Sequence, residues 1–204
     1  PVAKIVYERC AATGKRVQAL GGAKNFIFVM PDADMDLALD AVAESAFGCA
    51  GERCLAASIV VPVGGCEAEV QKGLLERMAA IRIGDGSEDG VRMGPVISEA
   101  HKKRVTGYID RGVQEGATLL VDGRKVDRTP GYFVGPTLFA DVKPEMSIAK
   151  DEIFGPVLCM MPAKDLDEAL AFSKQQPLAN ASSIFTTSGK HARQFRYNVE
   201  ASMA

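Results

Sequence analysis

Hydrophobic and polar positions follow two periods along the chain, and helical and strand-like segments alternate. Residues 3–13 have helical spacing, with Gly14 as the stop. The continuous apolar run 25–30 predicts a buried strand. After Pro31 and Asp32, an Ala-rich stretch predicts a long helix from about 34 to 47. A strand over 58–63 and a helix over 67–81 come next, followed by a charged, Gly-rich loop over 84–95. The pattern then predicts a helix over 99–115 and a short strand over 118–121. Two apolar segments, 132–139 and 153–161, each contain a Gly-Pro break, which suits edge or bent strands. A helix over 165–175 opens on Asp165 with Glu168 as a capping pair; a strand over 182–186 and a helix over 190–201 complete the series. Such alternation predicts an α/β fold in one domain over 1–204.

Composition narrows the classes. A chain of 204 residues with 47% hydrophobic and 25% charged residues can bury a real core. The net charge of −2 gives no electrostatic footprint for nucleic acid or an anionic membrane. The nearest basic cluster, His101, Lys102, Lys103 and Arg104, reads as the solvated face of a helix. No apolar run reaches the ~20 residues needed to cross a bilayer, and no signal peptide opens the chain. Five cysteines without a CxxC pair, and only two histidines, argue against a zinc site and for reduced thiols in a cytoplasmic compartment. Both ends, at Pro1 and Ala204, look cut from something longer.

Candidate chemistry centres on Cys54. A long helix ends near a glycine, Cys54 follows on the turn, and a strand begins after small residues. A thiol at such a change of direction is open to close approach, with main-chain N–H groups free to point at a substrate. Arg53 beside it would favour the thiolate. A buried structural cysteine fits the local pattern equally well. Cys10, Cys49, Cys66 and Cys159 read as packing or surface residues. His101 and His191 both fall in helices among charged residues, where a solvated position is the plain expectation. Chemistry at Cys54 is therefore not expected to rest on a Cys–His pair.

The block from Phe47 to Ser58, with Gly51-Glu52, Cys54, Leu55 and Ala56 at fixed places, resembles the active-site cysteine pattern of the NAD(P)-dependent aldehyde dehydrogenase superfamily. The run Asp151-Glu152-Ile153-Phe154-Gly155-Pro156-Val157 is similar to another block of that family, with Asp in place of its first Glu. The segment Leu20-Gly21-Gly22-Ala23-Lys24-Asn25 resembles the family's glycine-rich stretch, and Gly94-Pro95, Gly135-Pro136-Thr137 and Ile184-Phe185-Thr186 fall in the family's order. The resemblance implies an α/β aldehyde-dehydrogenase-like catalytic domain, a mixed sheet flanked by helices. Cys54 would attack the aldehyde, with its own N–H helping to hold the oxyanion. Glu152 would bond the nicotinamide ribose of NAD, and Phe154 would line the nicotinamide side of the pocket. Residues 1–20 would be a lead-in helix and segment continuing from a nucleotide-binding domain upstream of Pro1. An oligomerisation strand would lie beyond Ala204, in a dimer or tetramer, and the chain as given would not turn over aldehyde alone.

One departure from the family changes the expected chemistry. Hydrolytic members carry a Glu before the Gly-Gly segment as the base that activates water; here Ala19 or Leu20 stands there, depending on the alignment. Neither can take a proton. Coenzyme A as acyl acceptor would remove the need for that base. Val17-Gln18-Ala19, Gly51-Glu52-Arg53-Cys54 and the stretch 115–123 resemble the CoA-acylating branch that acts on malonate or methylmalonate semialdehyde. On that resemblance Arg53 is a candidate partner for the substrate carboxylate, a structural ion pair being equally open. Pro177-Leu178-Ala179-Asn180 departs from the Tyr-Gly-Asn type loop more usual in relatives. The alternatives are a hydrolytic aldehyde dehydrogenase with another base and a non-catalytic scaffold that retains the fold. A cytoplasmic location, or the mitochondrial matrix in a eukaryote, is the matching expectation.

Overall fold

The computed structural model describes residues 2–126 and 128–204; Pro1, where the expected lead-in segment begins, and Asp127 lie outside the described residues. Six strands form one sheet in the order β3-β4-β5-β2-β1-β6. They are β1 (Asn25–Val29), β2 (Ala57–Pro62), β3 (Thr118–Val121), β4 (Thr137–Ala140), β5 (Val157–Met160) and β6 (Ser182–Phe185). All neighbours run parallel except β3, which is antiparallel to β4. The sheet is thus mixed, as the resemblance implied.

The helices are α1 (Val2–Ala12), α2 (Met35–Phe47), α3 (Glu67–Ala79), α4 (Glu99–Gln114), α5 (Ser147–Lys150), α6 (Leu166–Lys174) and α7 (Gly189–Asn198). Central strands are apolar without alternation because helices cover both faces of a parallel sheet. Phe28, Val29, Ile59, Val60, Val61, Leu158, Cys159 and Met160 are all fully buried. Helix starts follow side-chain chemistry: Asp34, Ser98, Asp165 and Ser188 each accept a hydrogen bond from the N–H three residues on. Glu168 also reaches back, accepting from Lys164 N at 2.7 Å, one residue ahead of the capping-box partner.

Two expectations are corrected, and one element is added. The segments with Gly-Pro breaks are interior strands, with β3 and β6 at the edges. In each, the break lies just before the strand, so the proline costs no ladder bond. The last helix stops at Asn198 rather than 201. The short helix α5, buried through Ile148 and Ala149, was not foreseen because four residues leave no readable period. No helix of the structure is long and apolar enough to cross a membrane, among the described residues.

Candidate active site

The chain reaches Cys54 through an unusual turn. Beyond α2, Cys49, Ala50 and Gly51 all have positive φ, at 52°, 52° and 70°. A left-handed conformation costs an L residue about 1–2 kcal/mol, so this stretch must be held by its surroundings. Ala50 is buried, and a Cβ on Gly51 would lie 2.3 Å from the Gly155 carbonyl oxygen. Only glycine permits that approach. Arg53 and Ala56 then close a turn, Ala56 N donating to Arg53 O at 3.0 Å, with an exposed Cys54 inside it. The expected placement of the thiol on a change of direction holds.

Two carboxamides fix the main chain of Cys54. Asn25 Nδ2 donates to Cys54 O at 2.9 Å and to Ala56 O at 2.7 Å, and Asn180 Nδ2 donates to Cys54 O at 3.1 Å. Asn25 Oδ1 in turn accepts from Ala181 N at 2.9 Å. The buried Asn25 therefore ties β1, the cysteine turn and the 180–181 segment together. The Cys54 N–H donates no hydrogen bond among the described residues.

Arg53 turns back onto α2. Its Nη2 donates to Glu44 O at 2.6 Å and Ser45 O at 3.1 Å, carbonyls of the last helical turn, where a cation is favoured. Its Nε is buried without a partner among the described residues. Arg53 and Cys54 both line an open groove of about 660 Å³, together with Ala41, Glu44, Ser45, Glu52 and Leu55.

Glu152 and Phe154 lie against the cysteine turn. A small cavity of about 20 Å³ is bounded by Asn25, Gly51 and Arg53 on one side and by Glu152, Phe154 and Gly155 on the other. Phe154 sits at φ 62° and is 37% exposed, an uncommon state for an aromatic residue. The Glu152 carboxylate makes no hydrogen bond among the described residues. A free carboxylate accepts only, which suits the two hydroxyl donors of a ribose, and an exposed ring beside it suits a flat heterocycle. The residues present therefore fit the nicotinamide end of NAD.

Lys24 anchors this second loop from below. It is buried, and Nζ donates to Ile148 O at 2.7 Å and Asp151 O at 2.8 Å. Burial lowers its pKa, opposed by the charges of Cys159, Asp151 and Glu152. Consecutive residues of the glycine-rich segment thus serve the two halves of the site, Lys24 the 151–154 loop and Asn25 the cysteine turn.

The solvated-face expectation holds for Lys103 and Arg104, which are exposed, and is corrected for His101. The His101 ring is only 15% exposed, and Nε2 lies 2.6 Å from Phe154 O and 3.2 Å from Glu52 Oε1. Arg104 Nη2 donates to Glu152 O at 2.7 Å, and Tyr108 Oη donates to Asp151 Oδ2 at 3.0 Å. Asp in the first place of its block thereby has a partner. His191 is also half-buried, with Nδ1 unpartnered among the described residues. Residues 101, 104 and 108 share a helix face, a signal that the run of charges obscured.

Cys10 is half-buried in α1 and Cys49 exposed in the left-handed turn, while Cys66 and Cys159 are buried, as expected of packing or surface thiols.

A mixed sheet with an exposed-cysteine turn set against a loop of this composition defines a class. Across residues 1–204 the sequence matches the Aldehyde dehydrogenase family, and the chain belongs to that family. It is 51% identical over 205 residues to malonate-semialdehyde dehydrogenase 3 of Geobacillus kaustophilus (strain HTA426), covering 100% of this chain and 42% of that protein. The solved methylmalonate-semialdehyde dehydrogenase from Oceanimonas doudoroffii superposes with a TM-score of 0.92 at 41% identity, over 98% of this chain and 42% of that one. Betaine aldehyde dehydrogenase from Staphylococcus aureus, solved in complex with NAD+, superposes with a TM-score of 0.93 at 26% identity, over 99% of this chain and 41% of that one. The chain spans 42% of the length of the malonate-semialdehyde dehydrogenase it matches.

Proposed function

We propose that these residues supply the nucleophile-bearing part of an NAD-dependent, CoA-acylating dehydrogenase of malonate or methylmalonate semialdehyde. The observation that carries this is the seating of the Cys54 turn directly on the 152–155 loop, through Gly51 and Gly155. NAD, when bound, accepts a hydride, and Glu152 and Phe154 are the residues that would hold its nicotinamide end. The names of the relatives, one of them solved with NAD+, support both substrate class and cofactor.

Cys54, as thiolate, attacks the aldehyde carbon and forms a thiohemiacetal whose oxyanion takes the free Cys54 N–H. Loss of hydride from that carbon leaves an acyl-thioester on Cys54. The substrate carboxylate departs as carbon dioxide, and a proton replaces it. The thiolate of coenzyme A then attacks the thioester carbonyl, expelling the Cys54 thiolate and carrying off the acyl group. Arg53, which shares the groove with Cys54 and is anchored on α2 through Nη2, is the candidate partner for the substrate carboxylate. Ala19 and Leu20, at the place of the water-activating base, carry no proton acceptor.

A second reading, hydrolysis, has one observation in its favour. Glu52 lines the same groove as Cys54 and could serve as a base for water. Its carboxylate is already engaged, since Oε1 accepts from Ile97 N at 3.2 Å and faces His101. NADH production by the full-length protein on malonate semialdehyde, with and without coenzyme A, separates the two. Strong dependence on coenzyme A supports thiolysis; equal turnover without it, abolished in Glu52→Gln, would establish hydrolysis. The same full-length protein is proposed to be a homo-oligomer in a cytoplasmic or mitochondrial-matrix setting.

A further inference from the structure

We infer that His101 is a positioning residue that sets the nicotinamide-facing loop in register with the nucleophile turn. This rests on the assignment of Glu152 and Phe154 to NAD made above.

The loop 151–155 is held along one face of α4. Three side chains at i, i+3 and i+7 grip it in order: His101 the carbonyl of Phe154, Arg104 the carbonyl of Glu152, and Tyr108 the carboxylate of Asp151. Val105, on the same face, packs so closely that a Cβ on Gly155 would lie 2.6 Å from its Cγ2. The Arg104 guanidinium also lies over the Tyr108 ring, 5.0 Å from its centroid, which stiffens the row.

His101 differs from the other members because it serves both halves of the site. A carbonyl accepts only, so Nε2 carries the proton that points at Phe154 O. The same Nε2 lies 3.2 Å from Glu52 Oε1. Glu52 lies two residues before Cys54, so a single imidazole spans from the nucleophile turn to the loop that presents Phe154. The ring also meets the Phe154 ring edge-on, with centroids 6.3 Å apart. Phe154 holds a left-handed backbone that no intrinsic preference supports, and the bond to its carbonyl is a direct restraint on that conformation.

The test compares His101→Leu, which keeps bulk and loses the donor, with His101→Gln, whose amide restores an N–H at similar reach. Both are made in the full-length protein. His101→Leu is expected to raise KM for NAD about tenfold, with kcat at saturating NAD within about twofold of wild type. His101→Gln is expected to recover most of that loss. An unchanged KM in His101→Leu, or a His101→Gln no better than His101→Leu, would overturn the inference. Hydrogen exchange of peptides covering 151–161 gives a readout that needs no activity. Exchange there should quicken in His101→Leu and return toward wild type in His101→Gln. If the wild-type protein oxidised no aldehyde, the functional assignment would fall, and exchange alone would decide the positioning role. Equal exchange in all three proteins would refute it.

Discussion

The side-chain amide of Asn25 donates to the main-chain oxygen of Cys54 at 2.9 Å, across 29 residues of sequence. The thiol is thus held by its own peptide rather than by a neighbouring base. Asn25 is buried and makes three bonds, while Asn180 contributes one from a more exposed position. Asn25→Ala should destabilise the protein by about 2–3 kcal/mol and Asn180→Ala by about 1 kcal/mol or less. Denaturant midpoints of the two variants check this ordering. Alkylation of Cys54 should change in both variants, and an unaffected thiol would show that the clamp does not reach it.

Gly51 is predicted to tolerate no side chain. A methyl there meets the Gly155 carbonyl at 2.3 Å and needs φ of +70° as well. Gly51→Ala should cost about 2–4 kcal/mol and separate the cysteine turn from the 152–155 loop. The expected signature is a loss of aldehyde oxidation far larger than that of Gly65→Ala, whose φ is +90° but whose Cβ would meet nothing.

Alkaline stability should carry the mark of Cys159. Burial pushes this thiol from 9.0 up to about 11, against the pull of Lys24. The native state holds its proton where the unfolded chain has lost it. That contribution is complete below pH 9.0 and is lost as pH rises through about 11. Cys159→Ala should therefore lose about 2–3 kcal/mol less than wild type across that window. Lys24 acts in the opposite sense. Its lowered pKa makes stability rise with pH between the depressed value and 10.5, so Lys24→Met should steepen the alkaline loss. Urea titrations across the pH series give both slopes.

Much of this was legible in the chain because periodicity and small residues carry it. The continuous apolar runs of β1 and β2 and the caps at Asp34 and Asp165 follow from local chemistry, and so does the turn at Cys54. What the sequence could not show is which distant carbonyl a polar side chain meets. Asn25 and Lys24 stand in a quoted motif, yet their jobs depend on partners 29 to 156 residues away. His101 and Arg104 sit among Lys102 and Lys103, so charge counting hid a face whose other members are Val105 and Tyr108. Arg53 was expected to favour the thiolate or meet a carboxylate; its observed bonds are to helix carbonyls, which no side-chain pattern announces.

The most direct measurement is the fate of the Cys54 sulfur during turnover. The full-length protein, given NAD and malonate semialdehyde without coenzyme A, should accumulate an acyl group on the peptide that contains Cys54, seen by mass spectrometry of an acid-quenched digest. Coenzyme A added before the quench should discharge it as acyl-CoA, and Cys54→Ser should lower NADH formation by at least about a thousandfold. An adduct on another cysteine, or turnover that survives loss of the Cys54 thiol, would contradict the account.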